Sequence, residues 1–225
     1  MSLILAIETS SASGSVALCQ DGLILRSQHY HLDKSHSSVL HTMVKDLMHS
    51  AKEEMSDLDA IAVSKGPGSY TGLRIGASTA KGLCFALDIP LIGINTLESM
   101  AHQVVKKHTD YDLYCPMLDA RRMEVYSLMV DGDLNMVSET QPVILDEYSY
   151  AEKLKENKIT FFGDGSDKFK DVVDHPNANF IDDVTPSAED IALLAQIEFE
   201  KGHFENVIDF EPFYLKEYRI IPSKK

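Results

Sequence analysis

The sequence predicts an α/β protein of two tandem lobes, the second reduced. Three observations carry this. The first half runs three short apolar strands into alternating helices and strands. A second strand meander opens near residue 112. The chain's 225 residues, 44% of them hydrophobic, suit one large domain or two small lobes.

The elements follow in order. Residues 3–7, Leu-Ile-Leu-Ala-Ile, form an apolar run of strand length, 15–18 a second and 23–30 a third, with Asp21-Gly22 as the hairpin turn between the last two. Residues 37–51 carry an apolar stripe at helical spacing: Val39, Leu40, Met43, Val44, Leu47, Met48 and Ala51. A strand over 60–63, a helix over 73–87, a strand over 91–94 and a helix over 97–108 complete a first lobe of residues 1–110. In the second lobe, 111–225, strands at 113–118, 125–130 and 134–139 form the meander, with Asp131-Gly132-Asp133 as a turn. A helix near 148–156, a strand over 158–162 and a helix over 187–201 follow; packing back onto the first lobe is open to that last helix. Residues 223–225 read as a loose tail.

Composition excludes several classes. A formal net charge of −14 disfavours autonomous nucleic-acid binding, which needs clustered Lys and Arg against phosphate. Cys19, Cys84 and Cys115 are an odd set with no close pair, which argues against disulfides and a zinc site. The N-terminal apolar run is too short for a signal peptide and lacks a basic flank, and no stretch is long enough to span a membrane. The expected compartment is the cytoplasm.

The run from Lys65 to Gly76 is the most specific segment. Gly66, Gly68, Gly72 and Gly76 stand between a strand and a helix, the order that makes an anion cradle from free backbone N–H groups. The run is neither a Walker loop nor a dinucleotide fingerprint. Gly68-Ser69-Tyr70-Thr71-Gly72 also lacks the central serine of a nucleophile elbow, so Thr71 reads as a helix cap. At the N-terminus, Glu8-Thr9-Ser10 follows the first strand as a hydroxyl-rich turn. An acid at a strand end with Thr and Ser behind it resembles the first phosphate turn of the actin, sugar-kinase and Hsp70 superfamily, with Glu8 where that superfamily has Asp.

Three segments together resemble the TsaB (YeaZ) family: Ile4 to Ser10, Gly66 to Gly76, and Asp119-Ala120-Arg121-Arg122-Met123-Glu124-Val125-Tyr126; Pro212-Phe213-Tyr214-Leu215-Lys216 fits the family's ending. The resemblance spans the chain. It implies an actin-like (ribonuclease H-like) fold and a non-catalytic subunit in the synthesis of N6-threonylcarbamoyladenosine, next to the anticodon of tRNAs reading codons that begin with A. The implied partners are the catalytic subunit TsaD and the ATPase TsaE, with a homodimer when the chain is alone and tRNA only through the complex.

The resemblance also places sites. Asp119 falls at the second phosphate turn, where Arg121 replaces the expected glycine and would crowd a phosphate. Gly163 and Gly165 fall at a shortened adenosine turn. With Glu8, Thr9, Ser10, Gly66, Gly68 and Arg74 they make a vestigial nucleotide site. The chain therefore has no expected cofactor of its own, although weak or shared ATP or ADP with Mg at the partner junction stays open. TsaD-type subunits hold a metal with a His-x-x-x-His pair; the matching stretch 95–102 carries His102 alone, so no metal is expected. His29-x-His31 is a weak second metal reading. Lys65 and Arg74 read equally as solvated charges and as phosphate or partner contacts.

Leu73, Gly76 and Ala80 give the helix over 73–87 a small-sided face, read either as packing on its own sheet or as a close helix–helix partner surface. The resemblance implies the second, with Val39, Leu40, Met43, Val44 and Leu47 on the preceding helix. Met43 is then the centre of the partner patch and Lys45 lies on the solvated side. The alternative function is a small-molecule kinase or ATPase of the actin-like fold, against which Arg121 and the small second lobe count.

Overall fold

Two five-stranded sheets organise the protein, each arranged around its first strand. The computed structural model describes residues 1–31 and 36–215, and the side chains of residues 31 and 36–38 are outside that description. In the first sheet, β1 (Leu3–Glu8) lies between β2 (Ser13–Gln20) and β4 (Ala60–Gly66), with β3 (Leu23–His31) and β5 (Leu91–Asn95) at the edges. β1, β2 and β3 pair antiparallel through tight turns. β4 and β5 run parallel to β1, each reached through a helix, α1 (His36–Ala51) and α2 (Tyr70–Leu87). The second sheet repeats the plan: β6 (Leu113–Asp119) lies between β7 (Glu124–Asp131) and β9 (Ile159–Phe162), with β8 (Met136–Ile144) and β10 (Ala178–Ile181) at the edges.

β1 is apolar throughout because both of its faces are covered. Leu3, Leu5 and Ile7 meet α1 and α2, while Ile4 and Ala6 meet α6 (Ala188–Glu200). In the second sheet Tyr114 and Leu118 meet α3 (Thr96–Val105), and Cys115, Met117 and Phe161 meet the layer of α4 (Ala151–Glu156) and α5 (Ser166–Lys170). The two halves thus exchange helices: α3 covers the second sheet and α6 the first. Where α3 and α6 meet, His102 Nδ1 lies 2.8 Å from Asp190 Oδ1, both residues buried, and Ser187 Oγ donates to Asp190 Oδ2 at 2.8 Å. Asn95 caps α3 and donates through Nδ2 to Thr140 Oγ1 of β8 at 2.9 Å. A buried polar junction, rather than the linker alone, fixes one half on the other.

Several boundaries differ from expectation. α2 starts at Tyr70, and its cap is Ser69, whose Oγ accepts the Gly72 N–H at 3.3 Å; Thr71 is exposed within the helix. β8 runs to Ile144, and the helix sought over 148–156 shortens to α4, entered through Tyr150 at φ 60°. β10 and α5 have no counterpart in the sequence reading, being four and five residues long. Lys216 and residues 223–225 lie outside the described residues. No helix among the described residues is long and apolar enough to cross a membrane.

Candidate functional site

The first turn does not face an open cradle. Glu8, Thr9 and Ser10 are all buried, and the N-terminal end of α2 is pressed onto them. Thr9 Oγ1 donates to the Gly72 carbonyl at 2.8 Å, and the Ser69 N–H donates to the Ser10 carbonyl at 2.6 Å. A methyl group on Gly68 would overlap Ser10, and on Gly72 or Gly76 it would overlap Thr9. The glycines the sequence offers for a phosphate are spent on close approach to the chain's own turn. Glu8 Oε1 accepts the Ser10 N–H, while Glu8 Oε2 and Ser10 Oγ are buried without a hydrogen-bond partner. Burial pushes the Glu8 carboxyl up, with Ser10 and Ser64 pulling back only in part.

The other two turns are also internally satisfied. Asp119 Oδ1 lies 3.0 Å from Lys168 Nζ and accepts the Arg121 N–H at 2.5 Å. Arg121 and Arg122 both have positive φ, 71° and 49°, so Arg121 occupies a conformation that glycine favours. Asp164 Oδ1 accepts the Asp119 N–H at 2.9 Å, and burial raises the Asp164 carboxyl. Gly163 (φ 96°) abuts the Met117 carbonyl, and the Gly165 N–H donates to that carbonyl at 3.1 Å. The nucleotide and magnesium that this fold class implies do not fit the turns as packed. The donors at the first turn point at protein, its acid is sealed, and Lys168 holds the acid of the second.

The chain's C-terminal segment straps α2 from outside. The Glu205 N–H donates to Leu91 O at 2.8 Å, Lys81 Nζ donates to Ile208 O and Phe210 O at 2.9 and 3.0 Å, and the Phe213 N–H donates to Lys65 O at 2.6 Å. Gly66, at φ 108°, admits this strap: a Cβ there would lie 2.9 Å from the Phe213 carbonyl. The Tyr214 ring stacks 5.0 Å from Tyr70, and Arg74 lies over the same Tyr70 ring. Lys65 Nζ is 3.6 Å from Glu205. Both flanking cations are thus engaged by the strap or its neighbours. The motif at residues 212–216 gains a structural role through Phe213 and Tyr214.

The open feature lies between α1 and α2. Two adjoining cavities of about 670 and 470 Å³ share His41 and Thr79 and so form one furrow. Its apolar surface comes from Val44, Met48, Met55 and Leu83 at one end and Ile75 at the other. The expected partner residues need correction here. Leu40, Met43, Leu47, Leu73, Gly76 and Ala80 are buried in the lobe itself. The α1 stripe is wide because the helix packs against β2 and β3 while bordering α2, which takes more than one seam. Val44 is buried but edges the furrow, and Val39 is 38% exposed. Lys45 lines the furrow, so it is not on a remote solvated side.

The histidine readings resolve into pairs. His29 Nε2 lies 2.8 Å from Glu189, and the His31 and His36 side chains fall outside the description. Sequence reasoning missed the His102–Asp190 pair and Lys168, which are single residues joined to partners 88 and 49 positions away (190 − 102 and 168 − 119) with no periodic signal.

A two-lobed α/β protein whose two five-stranded sheets repeat one plan belongs to the actin-like class. An ATP- and polyphosphate-dependent glucomannokinase of Arthrobacter sp. strain KM shares the fold, with a TM-score of 0.53 at 12% identity over 90% of this chain and 100% of that one. The family model for TsaD, tRNA N6-adenosine threonylcarbamoyltransferase, matches residues 30–221. The chain is similar to the tRNA threonylcarbamoyladenosine biosynthesis protein TsaB of Escherichia coli, 31% identical over 99% of both chains. A Pseudomonas aeruginosa structure described as similar to peptidase YeaZ superposes with a TM-score of 0.86 at 27% identity, covering 96% of this chain and 100% of that one. The chain belongs to the TsaB (YeaZ) family, within the wider group that includes the TsaD transferases.

Proposed function

We propose that this chain is a non-catalytic subunit in the synthesis of N6-threonylcarbamoyladenosine on tRNA. In this reading it docks through the α1–α2 furrow on a TsaD-type catalytic subunit in the cytoplasm and holds it in its working conformation. TsaE joins the pair, and tRNA is held by the assembly. The relatives' names supply the pathway. The observation that carries the accessory role is the sealed first turn: the Ser69 N–H is spent on Ser10, Thr9 is bound to Gly72, and Glu8 is wholly buried. A kinase of this fold needs those donors and that acid at its nucleotide. The furrow faces outward on the first lobe, an apolar floor between two helices of the kind that receives a partner helix.

One purified sample tests this. ATP turnover and binding to the catalytic subunit of the same organism are measured side by side. The reading expects no turnover by the chain alone and a stable complex with the catalytic subunit. Robust turnover that Glu8→Ala abolishes would favour the actin-fold kinase instead. A gel shift with tRNA at physiological salt is expected only when the catalytic subunit is present, given the net charge of −14.

A further inference from the structure

The apolar cores split the protein into two bodies. Two clusters gather the first sheet, α1, α2, α6 and Phe210; the other two gather α3, the second sheet, α4 and α5. Among the described residues no cluster takes side chains from both bodies. The chain crosses between the bodies twice, at Asn95–Thr96 and between Val184 and Ser187. A border without a shared apolar core lets its two sides rotate unless polar contacts hold them. Two such contacts are present. His102 Nδ1 of the second body lies 2.8 Å from Asp190 Oδ1 of the first, and Asn95 Nδ2 of the first donates to Thr140 Oγ1 of the second at 2.9 Å. Each sits beside a crossing: Ser187, where α6 begins, holds Asp190, and Asn95 is itself the cap of α3. Both crossings also bury a polar atom without a hydrogen-bond partner, Thr96 Oγ1 at the first and Glu189 Oε2 beside the second. Buried polar atoms are nearly always bonded, so these two mark an arrangement that leaves its own crossings unsatisfied.

We propose that the two bodies form a hinge whose axis runs through the two crossings, and that the His102–Asp190 pair is the catch that holds it at the angle seen. Hinges absorb rotation at a few element-terminal residues, and the crossings lie at the end of β5 and the start of α6. Rotation slides α3 along α6 and parts the imidazole from Asp190. The catch is polar and directional, so it selects one angle where an apolar contact would tolerate sliding. The furrow belongs to the first body and the Asp119 turn to the second. The catch therefore sets the angle at which the second body stands to whatever the furrow holds. The hinge needs no ligand and stands whether or not the proposed function does.

Double electron–electron resonance on the full chain tests this. Cys19, Cys84 and Cys115 are buried, so spin labels go to cysteines introduced at exposed positions, Ser56→Cys in the first body and Glu152→Cys in the second. The otherwise wild-type chain should give one narrow distance. His102→Ala opens the catch while Ser187 still caps α6, and Thr140→Val removes the second tie from an edge strand that favours valine. Each should broaden the distribution, His102→Ala by about twofold or more, and the two together further. His102→Gln, whose amide can still donate to Asp190, should recover most of the narrow distance. Labels within the first body, at Arg26→Cys and Ser56→Cys, should report the same distance in every variant. A broad distribution in the otherwise wild-type chain, or a narrow one in folded His102→Ala with Thr140→Val, would overturn the hinge. If circular dichroism shows that His102→Ala does not fold, Thr140→Val alone must still broaden the distribution, and a narrow one there overturns the hinge equally.

Discussion

On its inner side α2 presents Gly72 and Gly76, and the chain's own Thr9 fills the space they leave. On its outer side it presents Ile75, Ser78, Thr79 and Leu83, and the space beyond them is the furrow. Both sides belong to one helix, yet one closes the fold and the other opens onto a groove. The difference lies in what sits opposite. The inner side faces a turn whose carbonyls and hydroxyl complete its hydrogen bonds, while the outer side faces α1 across a gap that neither helix fills. Small residues allow close approach without saying what approaches.

Charge insertion into the core face of α1, across from the furrow's open side, should have the largest effect. Met43 is 8% exposed and packed among Leu40, Leu47 and the first sheet. Met43→Glu is therefore expected to destabilise by about 3 kcal/mol or more, since it buries a carboxylate without a partner. Urea denaturation would show the midpoint fall with the slope unchanged. A variant as stable as wild type would mean that Met43 is free to turn outward, contrary to its packing.

Next in size is Gly72→Ala. Alanine favours a helix by about 1 kcal/mol over glycine, but here its methyl meets the Thr9 carbonyl. The clash should win, with a net loss of about 1–2 kcal/mol. Gly82→Ala is the matched control, because nothing lies within 4 Å of a Cβ there, and it should stabilise by up to about 1 kcal/mol. Opposite signs from two glycines of one helix would be read directly from their melting temperatures. Equal signs would break the distinction between the sides.

The buried acid gives a smaller, pH-dependent effect. Burial raises the Glu8 carboxyl above its unfolded range. The protonated form is the one the fold accommodates. Its contribution is complete below the unfolded pKa and is lost as pH rises through the folded value. Glu8→Gln keeps the shape without the ionisation, so its stability should gain on wild type as pH rises from acid to neutral. Thermal melts across that range check it; a variant that instead loses ground as pH rises would mean that the ionised carboxylate is stabilised by a partner.

Much of the first lobe was legible because its signals are periodic. Leu3 to Ile7 is a continuous apolar run, Asp21-Gly22 is a turn pair, and α1 carries its stripe. Gly66, Gly68, Gly72 and Gly76 announce close contact, but glycine spacing does not distinguish a phosphate from a neighbouring turn. Only the observed bonds of Thr9 and Ser69 decide that. The width of the α1 stripe misled in the same way: seven apolar positions read as a core seam plus a partner patch, whereas the core takes most of them. In the second lobe β10 and α5 are too short to show a period. Lys168, which locks Asp119, is legible from no pattern at all, because the contact exists only once β6 and α5 are folded side by side.

The most direct measurement places a charge in the furrow at the margin of the first core rather than inside it. Leu83 is partly exposed and lines the furrow. Leu83→Glu should cost about 1–2 kcal/mol of stability, less than Met43→Glu, and keep the wild-type circular dichroism. Its affinity for the catalytic subunit of the same organism, measured by calorimetry beside the wild type, should fall by about a hundredfold, because a carboxylate then sits on the apolar floor of the contact. Wild-type affinity in that folded variant would contradict the assignment of the outer side of α2 as the docking face.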